Sequence, residues 1–210
     1  MGVAGARDRG QALPIYIVVV TGLLFAALAF VVVGMAGATR SEAQAAADAA
    51  ALAAAREVRD NAFLGTDFLA LKQGDWEAIL EGDRLGVQGA CGKALAFAAL
   101  NDATATCQAN IRVFTVTATT NGTVGKSVIP GSESVKGHAT AKAVIEPRCS
   151  LQPDATPTPS PTPSPGGGDP GPPASLDFRC KGGAVVTLDP AKPGSLIQLA
   201  RKLFSVRLTD

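Results

Sequence analysis

Residues Ala12 to Thr39 form an uncharged, almost wholly apolar run, and the alanine-rich stretch Arg40 to Asp60 follows it without interruption. A helix rises about 1.5 Å per residue, so roughly 20 apolar residues cover the ~30 Å hydrocarbon core of a bilayer. This run is longer than that, and no polar face divides it, which argues against a core helix half turned to water. Arg7 and Arg9 precede it, and Ala36-Gly37-Ala38 offers the small residues that a signal peptidase reads. Its apolar core nevertheless exceeds the ~7–15 residues of a cleaved signal. The expectation is a cytoplasmic tail over 1–11 and one transmembrane helix over 12–39. No later run is long enough to span, so the rest is expected to fold on one side of the membrane as a head.

From Ala38 to Asn61 there is neither proline nor glycine, and Ala, Arg, Glu and Gln are strong helix formers. The span is therefore expected to continue as an alanine-rich rod over 40–60, about 72 Å from Leu13 to Asp60 at 1.5 Å per residue. Its side chains are small, with Leu52 and Val58 as the bulky apolar groups, a surface suited to close approach of another helix. Gly22 with Ala26, and Gly34 with Ala38, form small-xxx-small pairs in the span. Asp48, alone among alanines, is expected either to face water or to pair with a cation on a partner. These five residues are the helix-packing candidates, and they point to membrane lipid, other membrane helices or a homo-oligomer as partners.

Four cysteines, Cys91, Cys107, Cys149 and Cys180, all follow the span. An even number in a small head is the pattern of disulfides formed in an oxidising compartment, which places the head outside and the N-terminus in the cytoplasm. Structural zinc wants paired C-x(2–4)-C knuckles, and none of the four stands in such a pair. Three pairings exist. Cys91 with Cys107 closes a short local loop, and Cys149 with Cys180 brackets a low-complexity segment, so this is the pairing expected. Each disulfide is worth about 2–4 kcal/mol, which matters in a head whose aromatics are Trp76 and a few phenylalanines.

Phe63 to Leu80 is loosely helical, and Ala90 to Leu100 reads as another short helix. The period then changes to 2, with β-branched residues from Ile111 to Thr119, the turn Asn121-Gly122, and further strands over Val124–Ile129 and Val135–Ile145. Over 61–149 the head is thus expected to be α+β, helices first and an antiparallel meander second. Pro153 to Pro173 is rich in Pro, Thr, Ser and Gly and cannot bury apolar surface, so 150–175 is a disordered loop or linker of polyproline character. Residues 176–210 are expected to return and pack on the sheet through Val185, Val186, Leu196, Ile197 and Leu199, with either a strand or a short amphipathic helix near 196–204.

Catalytic signatures are missing from the sequence. The one histidine, His138, lies in a predicted strand, and no G-x-S-x-G or H-E-x-x-H occurs. Gly92-Lys93 resembles a phosphate loop, but Ala94 replaces its hydroxyl residue and Val87 its first glycine. Asp67, Asp75, Glu77, Glu81 and Asp83 read as a solvated acidic face, with calcium as the other use. A formal charge of +1 without a basic cluster speaks against nucleic acid. No enzyme, metal or cofactor is expected.

Arg9-Gly10-Gln11-Ala12, the apolar span, and Gln44-x-x-x-Asp48-Ala-Ala-Ala-Leu52-Ala-Ala-Ala55 together resemble the N-terminal module of TadE/TadG-like proteins of the tight-adherence (Flp) pilus system. The resemblance covers about residues 7 to 60. It implies a bacterial envelope component that assists assembly or anchoring of a thin pilus and meets other pilus-assembly membrane proteins through its helix. The alanine and arginine bias points to a high-GC, actinobacterial source. Pseudopilins of this system are cut after a glycine and carry a glutamate five residues on, whereas Ile15 stands five residues after Gly10. The expected match is therefore the TadG-like accessory, with a pseudopilin processed after Gly10, or an anchored binding module or adhesin, as the alternatives.

Overall fold

The computed structural model describes residues 12–125, 132–152 and 175–209. The predicted tail, the processing site at Gly10, most of the predicted strand Val124–Ile129 and the proline-rich stretch Pro153–Pro173 lie outside the described residues. The fold is α+β, built on one N-terminal helix and two antiparallel sheets.

Helix α1, Ala12–Asp60, is continuous over 49 residues. Its two halves have opposite surroundings. Over Pro14–Val31 the helix is long and apolar enough to cross a membrane, and none of it is covered by protein. From Thr39 onward one stripe disappears into the head: Ala43, Ala46, Ala47, Ala50, Ala51, Ala54 and Ala55 are all fully buried. Steps of three and four along this series place every member on one face, as the helical period requires.

Three further elements cover that stripe. Helix α3, Ala90–Leu100, lies against it, as do strands β2, Val113–Thr123, and β3, Lys136–Pro147. Together with β1, Ala103–Ala109, and β7, Phe204–Thr209, these strands form an antiparallel sheet in the order β1-β2-β3-β7. Its inner face carries Phe114, Val116 and Ala118 from β2 and Ala141, Ala143 and Ile145 from β3. Small side chains on both surfaces let helix and sheet backbones approach closely. The alanine face expected to receive another helix is thus occupied by the chain's own helix α3 and sheet, and residues 40–60 do not stand free of the head as a rod. Small residues admit any close-packing surface, and a sheet with alanines on its inner face serves as well as a helix.

The far end of the head is held by aromatics. Phe63 lies 5.7 Å from Phe68, 6.2 Å from Trp76 and 6.3 Å from Phe204, and Trp76 meets Phe178 edge-on at 5.3 Å. Such tilted pairs add about 0.5–1.5 kcal/mol each beyond their area. They join the end of α1 to helix α2, Gln73–Glu81, and to a second sheet ordered β4-β5-β6, comprising Cys149–Leu151, Leu176–Cys180 and Val185–Leu188. A short amphipathic helix α4, Leu196–Leu203, leads into β7.

Several local expectations shift. Residues 61–72 are turns rather than helix, because Gly65 takes a positive φ of 74° and ends any regular run. The strands expected at 111–119 and 135–145 correspond to β2 and β3, and β1 joins them as a further strand of the meander, while 126–129 of the strand expected at 124–129 lie outside the described residues. The Thr104-Ala-Thr-Cys alternation of β1 lies outside the expected strands, and Asn121-Gly122 lies inside β2, where the register with β3 slips between Thr119 and Thr123. A register slip absorbs the turn-forming pair without reversing the chain. The tail resolves as helix followed by strand. Its buried residues are Phe178, Leu188, Leu199, Ala200, Leu203 and Phe204, whereas Val185 and Ile197 are exposed.

Candidate functional site

Where the apolar half of α1 enters the head, strand backbone packs closely on helix backbone. Gly137, near the start of β3, packs directly on Thr39, and a Cβ there would run into the Thr39 carbonyl and crowd Ala43. The Gly137 N–H donates to Oγ1 of Thr120 at 2.9 Å, and that hydroxyl donates in turn to the Gly122 carbonyl at 2.8 Å. Thr120 is buried, so this pairing satisfies a hydroxyl that would otherwise be stranded away from water. Asn121 N–H donates to the Asp102 carbonyl, and Val124 N–H to the Val135 carbonyl. The end of α3, the β2–β3 hairpin and Thr39 therefore form one tier at the base of the head. Gly137, Thr120 and Thr39 were not singled out from sequence, since nothing local marks a glycine whose partner lies nearly 100 residues away.

At the opposite end of α1, Asp60 accepts from Arg201 Nη2 at 2.7 Å and Nε at 3.3 Å, and from Arg59 Nε at 2.9 Å. Burial alone pushes the Asp60 carboxyl upward, but the hydrogen bonds and charges of Arg201 and Arg59 outweigh it and hold the group below its ordinary value. The helix is thus secured to the head at both ends of its buried half.

Residues 10–57 match the model of the Flp pilus-assembly TadE/G-like family. The N-terminal module is TadE/G-like. The comparison with curated proteins and the comparison with solved structures each returned no match. The TadE/G-like module ends three residues before α1 does, so it takes in the apolar half, the Thr39 junction and nearly all of the buried alanine stripe. It ties this part of the chain to a pilus-related role, and with its apolar helix it fits a membrane-anchored protein.

Within the TadE/G-like module the helix-packing candidates fall into two environments. Gly22, Ala26, Gly34 and Ala38 are exposed on the apolar half, and nothing lies within 4 Å of a Cβ built on Gly22 or Gly34. Asp48 is half-buried on the edge of the alanine stripe and accepts from Gln44 Nε2 at 2.8 Å, one turn earlier on the same helix. Gln44 and Asp48 border a polar recess of about 540 Å³ with Thr140, Lys142, Arg207 and Thr209, at the point where β7 stops running beside β3. The structure does not bring Asp48 together with the four small residues.

Outside the module, Cys91 is bonded to Cys107, tying α3 to β1, and Cys149 to Cys180, its register partner across β4 and β5. Of the predicted acidic face, Asp67 and Asp75 are used locally. Asp67 accepts from the Leu69 N–H, while Asp75 accepts from the Lys72 N–H and pairs with Arg84. The Lys72 N–H is the chief reason that the Asp75 carboxyl lies below its ordinary value, with Arg84 adding to it. His138 is exposed and bonds Thr119 through Nδ1 at 2.9 Å. A cleft of about 240 Å³ opens beside Phe68, Trp76, Leu151 and Leu176. Among the described residues Ser175 and Asp177 line it, and the Asp177 carboxylate accepts from the Thr187 hydroxyl at 2.6 Å. Among the described residues no three His, Cys, Asp or Glu side chains converge in a way that holds a metal.

Proposed function

We propose that this chain is a non-enzymatic, single-pass membrane component of the TadG-like kind, which assists assembly or anchoring of a Flp-type pilus. Its N-terminus is cytoplasmic and its disulfide-bonded head extracytoplasmic. The observation that carries the reading is the coincidence of the TadE/G-like match with one unbroken helix whose first half is bare and apolar and whose second half is the spine of the head. The exposed Gly22, Ala26, Gly34 and Ala38 are the contacts through which the helix meets other membrane proteins of the apparatus or a second copy. Asp48, held by its own helix and half-covered by the head, serves the fold rather than a partner helix.

Deletion of the gene tests this. Loss of surface pili, restored by the wild-type chain, is the expected result. Pili retained with surface attachment lost would instead favour an anchored binding module. That second reading has one observation of its own: the outer face of the first sheet is an open polar surface with Thr104, Thr106, Thr117 and Thr140 exposed on adjacent strands. Intact mass of protein from membranes decides the processing question, since a mature chain beginning at Gln11 would make it a pseudopilin.

A further inference from the structure

If α1 crosses the membrane, as proposed above, the head cannot stand off from it. The last bulky residue of the apolar run is Met35, and Thr39, already buried by the head, follows four residues later, about 6 Å along the helix. The polar layer of a bilayer leaflet is itself roughly 5–7 Å deep, half the difference between total and hydrocarbon thickness. Thr39 thus stands at about the outer edge of the lipid headgroups. Gly137 stands level with it, fixed by the backbone contact at Thr39.

Strand direction then determines what lies lower still. From Gly137 by Thr39, β3 rises to Pro147, which pairs with Phe204 beside Phe63 at the far end, so the β2–β3 hairpin points toward the membrane. Val135 precedes Gly137 by two residues, about 6–7 Å nearer the lipid at the rise of an extended chain. Leu100, the last residue of α3, belongs to the same tier through Asp102 and Asn121. Both are apolar and open: Leu100 is 77 % exposed and Val135 50 % exposed. Among the described residues the charges next to them and to Thr39 in sequence have both signs, Arg40 and Lys136 against Glu42, Asp102 and Glu133.

We propose that the base of the head is a lipid-contacting surface, with Leu100 and Val135 seated in the headgroup layer of the extracytoplasmic leaflet. This surface continues the apolar flank of α1 outward and fixes the tilt of the head as well as its height.

The test is quenching of tryptophan fluorescence by brominated lipids in the full-length protein, reconstituted in phosphatidylcholine vesicles. Trp76 is buried in the head's far end and supplies a constant background. Four variants add one indole each: Phe25→Trp in the apolar half, Leu100→Trp and Val135→Trp at the base, and Leu64→Trp, equally exposed at 77 %, just past the far end of α1. Bromines near the headgroups are expected to remove emission added at positions 100 and 135, bromines deep in the acyl chains that added at 25, and neither that added at 64. Quenching at 25 without quenching at 100 and 135 would overturn the lipid contact and leave the anchor intact. Absence of quenching at 25 would overturn the anchor and the contact with it. Quenching at 64 equal to that at 100 would mean that the head lies on its side, and would overturn the geometry proposed. Two independent positions at the base keep the test decisive if one variant misfolds.

Discussion

Gly137 shows how much one missing Cβ controls. Its φ is not in the left-handed region, so the position does not demand glycine for backbone freedom. It demands glycine because the Thr39 carbonyl occupies the space, and a helix backbone cannot rotate aside as a side chain can. Gly137→Ala is expected to cost about 1–3 kcal/mol, the range for overpacking a close contact, read as a lowered thermal midpoint. The exposed Gly122, where an added Cβ meets open space, provides the control. Asp60 behaves oppositely, through charge. Its carboxyl is held below the ordinary value, so the stability it contributes is fully present above ~pH 4, the unfolded carboxylate range, and is lost as pH falls through the lower folded value. Arg201→Ala is therefore expected to lower unfolding stability by about 0.5–1 kcal/mol at pH 7, the scale of a partly exposed ion pair. The difference from wild type should shrink as urea titrations are repeated at progressively lower pH below 4.

At the scale of the element, α1 was legible in the sequence, and its surroundings were not. A run without proline or glycine and rich in helix formers specifies a helix from almost any vantage, and the apolar half specifies its own solvent. The alanine stripe specifies only that something approaches closely. That the chain's own sheet joins helix α3 there depends on residues such as Ala141 and Ala143, 90 or so positions later, whose small size has meaning only once they face α1. Ala90–Leu100 was visible for the same reason as α1, whereas β1 was missed because Ala103 and Ala105 weaken the β-branched signal. The helix-packing candidates on the bare half could be named from spacing; the junction at Thr39 could not, because it is a contact between backbones. The stripe itself is testable. Ala50→Leu, fully buried, should destabilise the head by at least ~1–3 kcal/mol, while Ala45→Leu on the exposed side of the same turn should leave urea midpoints nearly unchanged.

For the whole molecule, the family-matched module and the head are one folding unit despite their different composition. A chain beginning at Arg40 retains the buried stripe and is expected to fold, with a cooperative melt. One beginning at Asn61 loses the spine common to α3, β2 and β3, and should show neither cooperative melting nor dispersed amide resonances. Replacing Cys149 and Cys180 together with serine should lower stability by about 2–4 kcal/mol, because the bond closes a loop of 31 residues whose freedom in the unfolded chain then returns. The continuity of α1 across its two environments also has a mechanical meaning. On the proposed reading, a filament pulling on the apolar end would deliver its load along a single helix axis, with no proline or glycine between Ala38 and Asn61 to act as a hinge. That load reaches the core as shear spread over several turns of interlocked alanines, rather than as a peel starting at one edge, and the molecule is wired to bear tension without unzipping.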